Sequence, residues 1–295
     1  MKIGYFADGP WSHVAFDGLV QDPNLEIGFV CPRYDTQDPI LLKKAAAYGI
    51  PVLVEENVNK HEALDRIFEH GCDLLVSMSF NQIFKKPIIE LAPKGLINCH
   101  AGKLPFYRGR NILNWVLIND EREFGITVHY VDEGIDTGDI ILQRTFPISD
   151  EDTYASLLNT AYFECGRILF DAVKEIQMGT ATRVAQTSFH PVGMYCGRRQ
   201  LGDERLRWEQ PSRDVFNFVR AISSPGPNAR STIRGGEDVE IMAVEMVQSS
   251  PVYKGIPGQV VGKQNKALLV KTLDTIVKVT NYRADGVIRV GDRFE

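Results

Sequence analysis

The sequence predicts an α/β protein: a Rossmann-like, mostly parallel sheet with helices on both faces, followed by a small β-rich, barrel-like domain. Three observations support this prediction. Short apolar runs alternate with helical patterns through about the first 100 residues, and one run, 74–76, is apolar throughout, as in a central strand of a parallel sheet. After Arg207 the pattern changes to short strands separated by turn residues, which is typical of a small barrel.

The first half of the chain supplies five predicted strands and their connecting helices. The strands are expected at 2–6, 25–30, 51–54, 74–76 and 96–100, and two helices at 39–48 and 61–70. A tight turn at 8–12 leads from the first strand into a further helix, and Ser12 is in position to cap that helix. The turn lacks the GxGxxG pattern, so dinucleotide binding is disfavoured.

The second half supplies helices, two half-buried strands and the β-rich domain. Helices are expected at 111–118, 152–179 and about 211–222, and strands at 124–130, 140–146, 238–246, 259–262, 267–271 and 276–279. Residues 180–206 show little periodicity and are interpreted as a linker that carries ligand contacts. We therefore predict a catalytic domain at 1–180, a linker at 181–206 and a C-terminal domain at 207–295.

Composition narrows the class of protein. Of the 295 residues, 44% are hydrophobic and 24% are charged, as in a soluble globular protein. The net charge of −5 gives no general attraction to nucleic acid or to an acidic membrane. Five scattered cysteines form no CxxC pair, and neither a signal peptide nor a membrane-spanning run is evident. We expect a cytoplasmic protein with reduced thiols that binds neither nucleic acid nor membranes.

Three polar side chains stand out at the edge of the predicted sheet. Asn98 and His100 end the fifth strand, two residues apart and therefore on one face, and Asp136 lies in the glycine-containing turn 134–139. An imidazole can take or give a proton, a carboxylate can orient it, and an amide can donate to an oxyanion. None of the three is an obvious nucleophile, and Cys99 should point to the opposite face. The substrate must therefore supply the nucleophile, which suggests acyl transfer to a substrate amine or hydroxyl.

Other interpretations of these residues stay open on chemistry alone. A single histidine at a strand end is more often structural, and an aspartate in such a turn is often only a turn former. A metal site built from His100, Asp136 and Asp139 is disfavoured, because no second histidine has ligand spacing. We therefore expect no metal.

Four sequence blocks around these residues resemble the 10-formyltetrahydrofolate-dependent formyltransferases. In chain order they are Asn98-x-His100, Leu104-Pro105-x-Tyr107-Arg108-Gly109, Gly125-Ile126-Thr127-Val128-His129 and Asp136-Thr137-Gly138-Asp139. They occur in the family's order and spacing, and the resemblance covers the first 205 residues. One position departs from the methionyl-tRNA enzymes of the family, which usually have a serine after the histidine block where this chain has Gly102-Lys103.

The resemblance implies a role for the central residues. Asn98, His100 and Asp136 match the family's catalytic asparagine, histidine and aspartate. They would transfer a formyl group from 10-formyltetrahydrofolate, which would lie against the loop after the fourth strand and the loop at 131–136. Its contacts would come from Met78, Phe80, Gln82, Ile83, Leu104 and Asp132.

Segments flanking the catalytic block resemble the nucleotide-sugar branch of the family. They are Arg110–Asn119, Gly197-Arg198-Arg199, Trp208 and the stretch 217–229, which are similar to the formyltransferase domain that acts on UDP-4-amino-4-deoxy-arabinose. This implies a nucleotide-linked amino sugar of a surface-glycan pathway as acceptor, and we expect a homodimer. The acceptor would be bound by Trp11, Ser12, Lys103, Arg108, Arg110 and Arg198, although surface ion pairing is an equally good interpretation of the arginines.

Three rival functions follow from the same residues. Methionyl-tRNA formylation would need a basic C-terminal surface, whereas residues 207–295 carry 13 Lys and Arg against 10 Asp and Glu, a net charge of only +3. A non-catalytic folate or nucleotide-sugar binding module is disfavoured by the intact catalytic trio. The third is formyl hydrolysis without an amine acceptor.

Overall fold

The computed structural model describes residues 1–233 and 235–295. Within them, the first sheet has six strands in the order β2-β1-β3-β4-β6-β7. These strands are β1 Lys2–Ala7, β2 Glu26–Cys31, β3 Leu74–Met78, β4 Leu96–His100, β6 Glu123–Tyr130 and β7 Ile140–Pro147. Strands β1 to β4 are parallel, and β6 runs antiparallel to β4. The predicted α/β fold with a mostly parallel sheet is confirmed.

Helices connect the strands of this sheet. They are α1 His13–Gln21, α2 Pro39–Ala47, α3 His61–Glu69, α4 Lys86–Ile89, α5 Ile112–Ile118 and α6 Tyr154–Met178. A separate two-stranded parallel sheet pairs β5 Arg108–Gly109 with β8 Tyr195–Cys196. In the described part of the chain, no helix combines the length and the apolarity needed to cross a membrane.

The β-rich part of the chain forms a five-stranded antiparallel sheet in the order β11-β12-β13-β10-β9. The strands are β9 Ala229–Ile233, β10 Glu237–Met246, β11 Val260–Gln264, β12 Ala267–Lys271 and β13 Ile276–Ala284, preceded by helix α7 Ser212–Ile222. Trp208 is fully buried here, where its ring stacks on Phe294 and its Nε1 donates to Ser231 Oγ. The predicted β-rich C-terminal part is thereby confirmed.

The chain divides into two compact units. One contains residues 1–109, 124–146 and 159–196, and the other contains 110–123, 147–158 and 197–295. Two early segments belong to the second unit because polar contacts tie them to α7. Arg213 pairs with both Asp120 and Asp150, and Asn114 Nδ2 donates to Ala221 O at 2.6 Å. Such long-range contacts cannot be inferred from local sequence patterns.

Four phenylalanine rings pack together at the carboxyl edge of the parallel sheet. Phe6 in β1 contacts Phe29, Phe80 and Phe84, with ring centroids 5.3 to 5.5 Å apart and the rings nearly perpendicular. Edge-to-face contacts of this kind are favourable beyond the apolar area that they bury. The cluster therefore anchors the loop after β3 to the two strands beside it.

Three local features differ from the predictions. The third strand predicted at 51–54 is reduced to an isolated bridge between Val52 and Val30. Ser12 stands at the N-cap position of α1, as predicted, but its side chain makes no capping hydrogen bond, because its hydroxyl donates to Gly9 O at 2.7 Å. Strand β9 was missed because two of its three inward-facing residues, Ala229 and Ser231, are too small to give a hydrophobic alternation.

Candidate active site

Strand pairing brings the first catalytic candidates together. In the antiparallel pair β4–β6, Asn98 lies opposite His129 and His100 lies opposite Thr127. Side chains that lie opposite each other share one face of a sheet. Cys99 faces the other way, where its Sγ contacts the Cys165 carbonyl in α6, as predicted. The alternation of β4 therefore presents an amide and an imidazole side by side.

His100 is held at both ring nitrogens. Its Nε2 lies 2.7 Å from the Tyr107 carbonyl oxygen, and its Nδ1 lies 3.6 Å from Asp136 Oδ2. Since a carbonyl oxygen only accepts, Nε2 carries a hydrogen in this arrangement. The imidazole is buried, so its orientation is set by the protein rather than by solvent. The predicted pairing of His100 with a carboxylate is thus present in the structure.

The Asp136 carboxylate contacts both His100 and His129. Its Oδ2 accepts a hydrogen bond from Gly109 N at 2.9 Å, and its Oδ1 lies 3.5 Å from His129 Nε2. Burial raises the pKa of the Asp136 carboxyl, but the charges of His100 and His129 and the hydrogen bonds from His129 and Gly109 outweigh burial. The net pKa of Asp136 lies well below its ordinary value. The group is therefore an anion that orients imidazoles rather than a general acid.

The depressed pKa of Asp136 makes a prediction about stability. The folded-state pKa lies below the unfolded value of about 3.9, so the ionised carboxylate stabilises the fold above that pH, and this stabilisation is lost as the pH falls through the folded pKa. We expect wild type to exceed Asp136→Asn by about 2 kcal/mol in free energy of unfolding near pH 5. The difference should shrink towards pH 3 in urea unfolding followed by circular dichroism. A difference that grows on acidification would contradict the assignment.

Gly102 explains the departure from the family's serine. A Cβ at this position would collide with His100 Nε2 and with the Tyr107 carbonyl oxygen. Only a residue without a side chain lets the loop pass this close to the imidazole. The glycine is therefore required by the close packing of this loop against His100.

A polar network fixes the loop between Gly102 and Leu104. Thr127 Oγ1 donates to Gly102 O at 2.7 Å, and Gln143 Nε2 donates to both Leu104 O and Thr127 Oγ1 at 2.9 and 2.8 Å. These side chains come from β6 and β7, so the antiparallel hairpin supports the loop that follows His100. Neither Thr127 nor Gln143 had been assigned a role from the sequence.

Gln186 links the catalytic turn to a distant segment. Its Nε2 donates to Asp136 O and Gly138 O, both at 2.8 Å, and its Oε1 accepts from Arg108 Nε and Nη2 at 3.1 and 2.6 Å. Asp136 adopts a left-handed backbone conformation with φ 52°, which an aspartate rarely takes without support. Gln186 supplies that support from residues that the sequence places only in a linker.

The residues predicted to bind folate occupy different environments. Met78 and Leu104 are fully buried, Phe80 packs in the aromatic cluster, and Ile83 is exposed. Gln82 is engaged at both ends of its amide, by Val58 N and Glu55 O. Asp132 accepts from Gly134 N and Thr137 Oγ1 and so shapes its own turn. Their folate contacts stay a prediction.

The residues predicted to bind the acceptor are equally dispersed. In the first unit, Trp11 packs edge-on against Tyr162, and Ser12 is fully buried. Lys103 is exposed. Arg108 is held by Gln186, and its guanidinium lies 5.4 Å from the Tyr195 ring centroid. In the second unit, Arg110 and Arg198 are exposed. For Arg108 the intramolecular contacts favour a structural role, and the other acceptor contacts stay predictions.

Two residues of the site were missed by sequence reasoning. His129 lies within one of the family-like blocks, and the strand period of β6 opposite Asn98 could have placed it. Gln186 gives no local signal, because its partners are 48 to 78 residues away. Among the residues that the structure describes, no group of three His, Cys, Asp or Glu side chains could hold a metal ion.

The arrangement defines a class of chemistry. A buried imidazole paired with a carboxylate, next to a side-chain amide and without a protein nucleophile, is suited to acyl transfer between two bound substrates. The comparisons with known proteins agree with this class. The family model described as "Formyl transferase" matches residues 25–173, and the model of the "Formyl transferase, C-terminal domain" matches residues 200–290. The chain belongs to the formyl transferase family.

Two similar relatives are named methionyl-tRNA formyltransferases. The chain is 29% identical to a methionyl-tRNA formyltransferase of Halothermothrix orenii over all of this chain and 96% of that protein. It is 31% identical to the methionyl-tRNA formyltransferase of Pelotomaculum thermopropionicum over 88% of this chain and 80% of the relative.

Solved structures show the same fold. A sugar 3N-formyl transferase solved with dTDP and 5-N-formyl-THF gives a TM-score of 0.72 at 20% identity, covering 98% of this chain and 99% of that one. An N-formyltransferase from Helicobacter canadensis, solved with folinic acid and dTDP-3-aminofucose, gives 0.71 at 19% identity, covering 96% and 100%. At this identity the likeness establishes the fold.

Proposed function

We propose that the protein transfers the formyl group of 10-formyltetrahydrofolate to the amine of a nucleotide-linked amino sugar. The main support for formyl transfer is the cluster of Asn98, His100 and Asp136, which has no nucleophile of its own. Such a cluster needs an activated acyl donor and a substrate amine. The structures described above with a formylated folate, at full coverage of the chain, support the same donor.

The proposed mechanism assigns one task to each group. The neutral sugar amine attacks the formyl carbon, and Asn98 donates a hydrogen bond to the developing oxyanion. His100 takes at Nε2 the proton that the amine loses, with the hydrogen of the neutral ring on Nδ1 towards Asp136, and passes one to the folate nitrogen as the carbon–nitrogen bond breaks. Asp136 keeps the imidazole oriented and stabilises its charged form. The products are the formamide of the sugar and tetrahydrofolate.

In the ground state the Tyr107 carbonyl competes for His100 Nε2, at 2.7 Å. Tyr107 holds that carbonyl in place through a left-handed backbone, with φ 56°. We propose that the bound acceptor replaces this hydrogen bond. The imidazole would then exchange protons only when a substrate is present, which suppresses loss of the formyl group to water.

The loop after β3 has the features of a folate-recognition loop whose backbone does the binding. Arg33 donates to Ser79 O at 2.7 Å and Asn59 donates to Ile83 O at 2.9 Å, so side chains from two other segments of the chain hold both ends of the loop. The side chain of Gln82 is likewise turned inward. The folate contact assigned to Gln82 therefore falls to the backbone of this loop.

Charge in the C-terminal segment supports a small acceptor rather than tRNA. Among the residues that the structure describes at 207–295, at least six Lys and Arg side chains are engaged inside the second unit. Arg213, Arg230, Lys278 and Arg283 pair with carboxylates, while Arg220 and the fully buried Lys271 donate to backbone carbonyls. Phosphate recognition depends on uncompensated positive charge. The carboxylates of Asp238, Glu245 and Glu240 are already counted in the net +3 of this segment, and Arg213 is in addition paired with Asp120 and Asp150 from outside it, so little uncompensated positive charge is left for a nucleic acid.

Methionyl-tRNA formylation is the second candidate. It is favoured by relatives 29% and 31% identical over most of the chain that are methionyl-tRNA formyltransferases. In that case the same amide, imidazole and carboxylate would formylate the amino group of a charged tRNA.

A direct test incubates the protein and 10-formyltetrahydrofolate with a panel of UDP-, dTDP- and GDP-linked amino sugars, and separately with methionyl initiator tRNA. We expect a mass gain of one formyl group on one sugar nucleotide, with equimolar tetrahydrofolate. His100→Asn serves as the inactive control. Formylation of methionyl-tRNA alone would favour the second candidate, and tetrahydrofolate release without any acceptor would indicate hydrolysis.

Two further properties belong to this proposal. A cytoplasmic location is supported by the five cysteines, all of which are free thiols. A homodimer stays a prediction, to be checked by light scattering of the purified protein.

A further inference from the structure

His129 is a buried histidine at the centre of the catalytic cluster. Only 3% of its side chain is exposed. Its Nδ1 lies 2.8 Å from the Tyr130 carbonyl oxygen, while its Nε2 lies 3.4 Å from Asn98 Nδ2 and 3.5 Å from Asp136 Oδ1. One nitrogen of a single ring therefore faces two of the three proposed catalytic groups.

The contact of His129 Nδ1 with the Tyr130 carbonyl sets the orientation of the ring and the nitrogen that carries its hydrogen. A carbonyl oxygen is only an acceptor, so Nδ1 carries a hydrogen in the neutral and in the charged ring. The ring is thereby fixed with Nε2 towards the cluster. As a neutral imidazole, Nε2 accepts from the Asn98 amide, and as an imidazolium it donates to the Asp136 carboxylate.

We propose that His129 is a positioning residue of formyl transfer, whose neutral ring accepts a hydrogen bond from the Asn98 amide at Nε2 and so fixes the orientation of that amide. The inference rests on the proposed function, because it gives His129 no role apart from Asn98 and Asp136. The amide of Asn98 is partly exposed and can rotate about its last bond. A rotated amide would present its oxygen where an oxyanion needs a donor. His129 restricts this rotation.

The register of the β4–β6 strand pair fixes the position of His129 relative to Asn98. Asn98 and His129 lie directly opposite each other in the β4–β6 pair, so the backbone sets their separation. Asp136 reaches the pair from the turn after β6, where Gln186 and Gly109 hold it. Across Asp136 lies His100, the other titratable group of the cluster.

The test is a double-mutant cycle between His129→Leu and Asn98→Ala. We expect His129→Leu to lower kcat about 10- to 100-fold with KM for both substrates within about twofold, because it removes orientation rather than binding. In the Asn98→Ala background the same change should lower kcat less than about threefold. His129→Gln, whose amide reaches the position of Nε2, should recover most of the lost rate.

Val128→Ala is the matched control. Val128 is fully buried in the same strand and faces away from the site, so it should lower thermal stability and leave the kcat of the folded protein unchanged. Equal losses from His129→Leu in both backgrounds, or no rescue by His129→Gln, would overturn the proposal. Wild-type turnover in Asn98→Ala and Asp136→Asn would instead refute the proposed catalytic cluster, and so separates the two failures.

Discussion

His100→Asn is expected to lower kcat about 10²- to 10⁴-fold, with the affinity for both substrates nearly unchanged. The range is that of a single general acid–base group. The asparagine can keep a contact near the Nδ1 position, towards Asp136, but it cannot exchange a proton near neutral pH. The loss should therefore appear in the chemical step. Single-turnover formation of the formylated acceptor, measured in a rapid-quench instrument, would show it directly.

Folding has to be separated from chemistry in this variant. His61→Asn is a suitable control, because the His61 side chain is 86% exposed and lies outside the cluster. Its kcat should match wild type, and both variants should unfold at the wild-type temperature within a few degrees. Near-full turnover by correctly folded His100→Asn would remove His100 from the mechanism and with it the assignment of the acid–base group.

Gln186→Leu should have the second-largest effect, because it breaks four hydrogen bonds at once. The carbonyls of Asp136 and Gly138 and the guanidinium of Arg108 would lose a buried partner. We expect a loss of about 3 kcal/mol in free energy of unfolding, the scale for orphaned buried polar groups. The turn that carries Asp136 should also loosen and lower kcat at least about tenfold.

Gln186→Glu divides this effect into two parts. Glutamate can still accept from Arg108, but its oxygens would face the Asp136 and Gly138 carbonyls in place of a donor. If Gln186 acts by holding Asp136, the glutamate variant should regain only the part of the stability that the Arg108 contact supplies and stay as slow as the leucine variant. Gln177→Leu, which lies partly exposed on α6, is the control for a glutamine lost elsewhere. Unchanged kcat in both Gln186 variants would contradict the positioning role.

The proposed trio could be predicted because its signal is local. Asn98 and His100 are two residues apart at the end of an apolar strand, so the strand period alone puts them on one face. Asp136 lies in a short turn of small residues between two strands with clear alternation. The parallel sheet is predicted in the same way from apolar runs such as 74–76. A strand whose residues are all apolar must be covered on both faces, as the strands of parallel sheets are.

The contacts that hold these three residues in place could not be predicted from the sequence. The left-handed conformation of Asp136, the anchor at Gln186 and the close passage of Gly102 past the imidazole all depend on segments that are far apart in the chain. A hydrogen bond between residues 50 apart leaves no periodicity in either segment, and its partners are ordinary polar residues. Residues and spacings along the chain were sufficient for the fold class and for three groups suited to acyl transfer, while formyl transfer was implied by the resemblance of four sequence blocks to a known family. Which atoms hold them in place was decided only when the chain closed on itself, because that geometry exists in no local stretch.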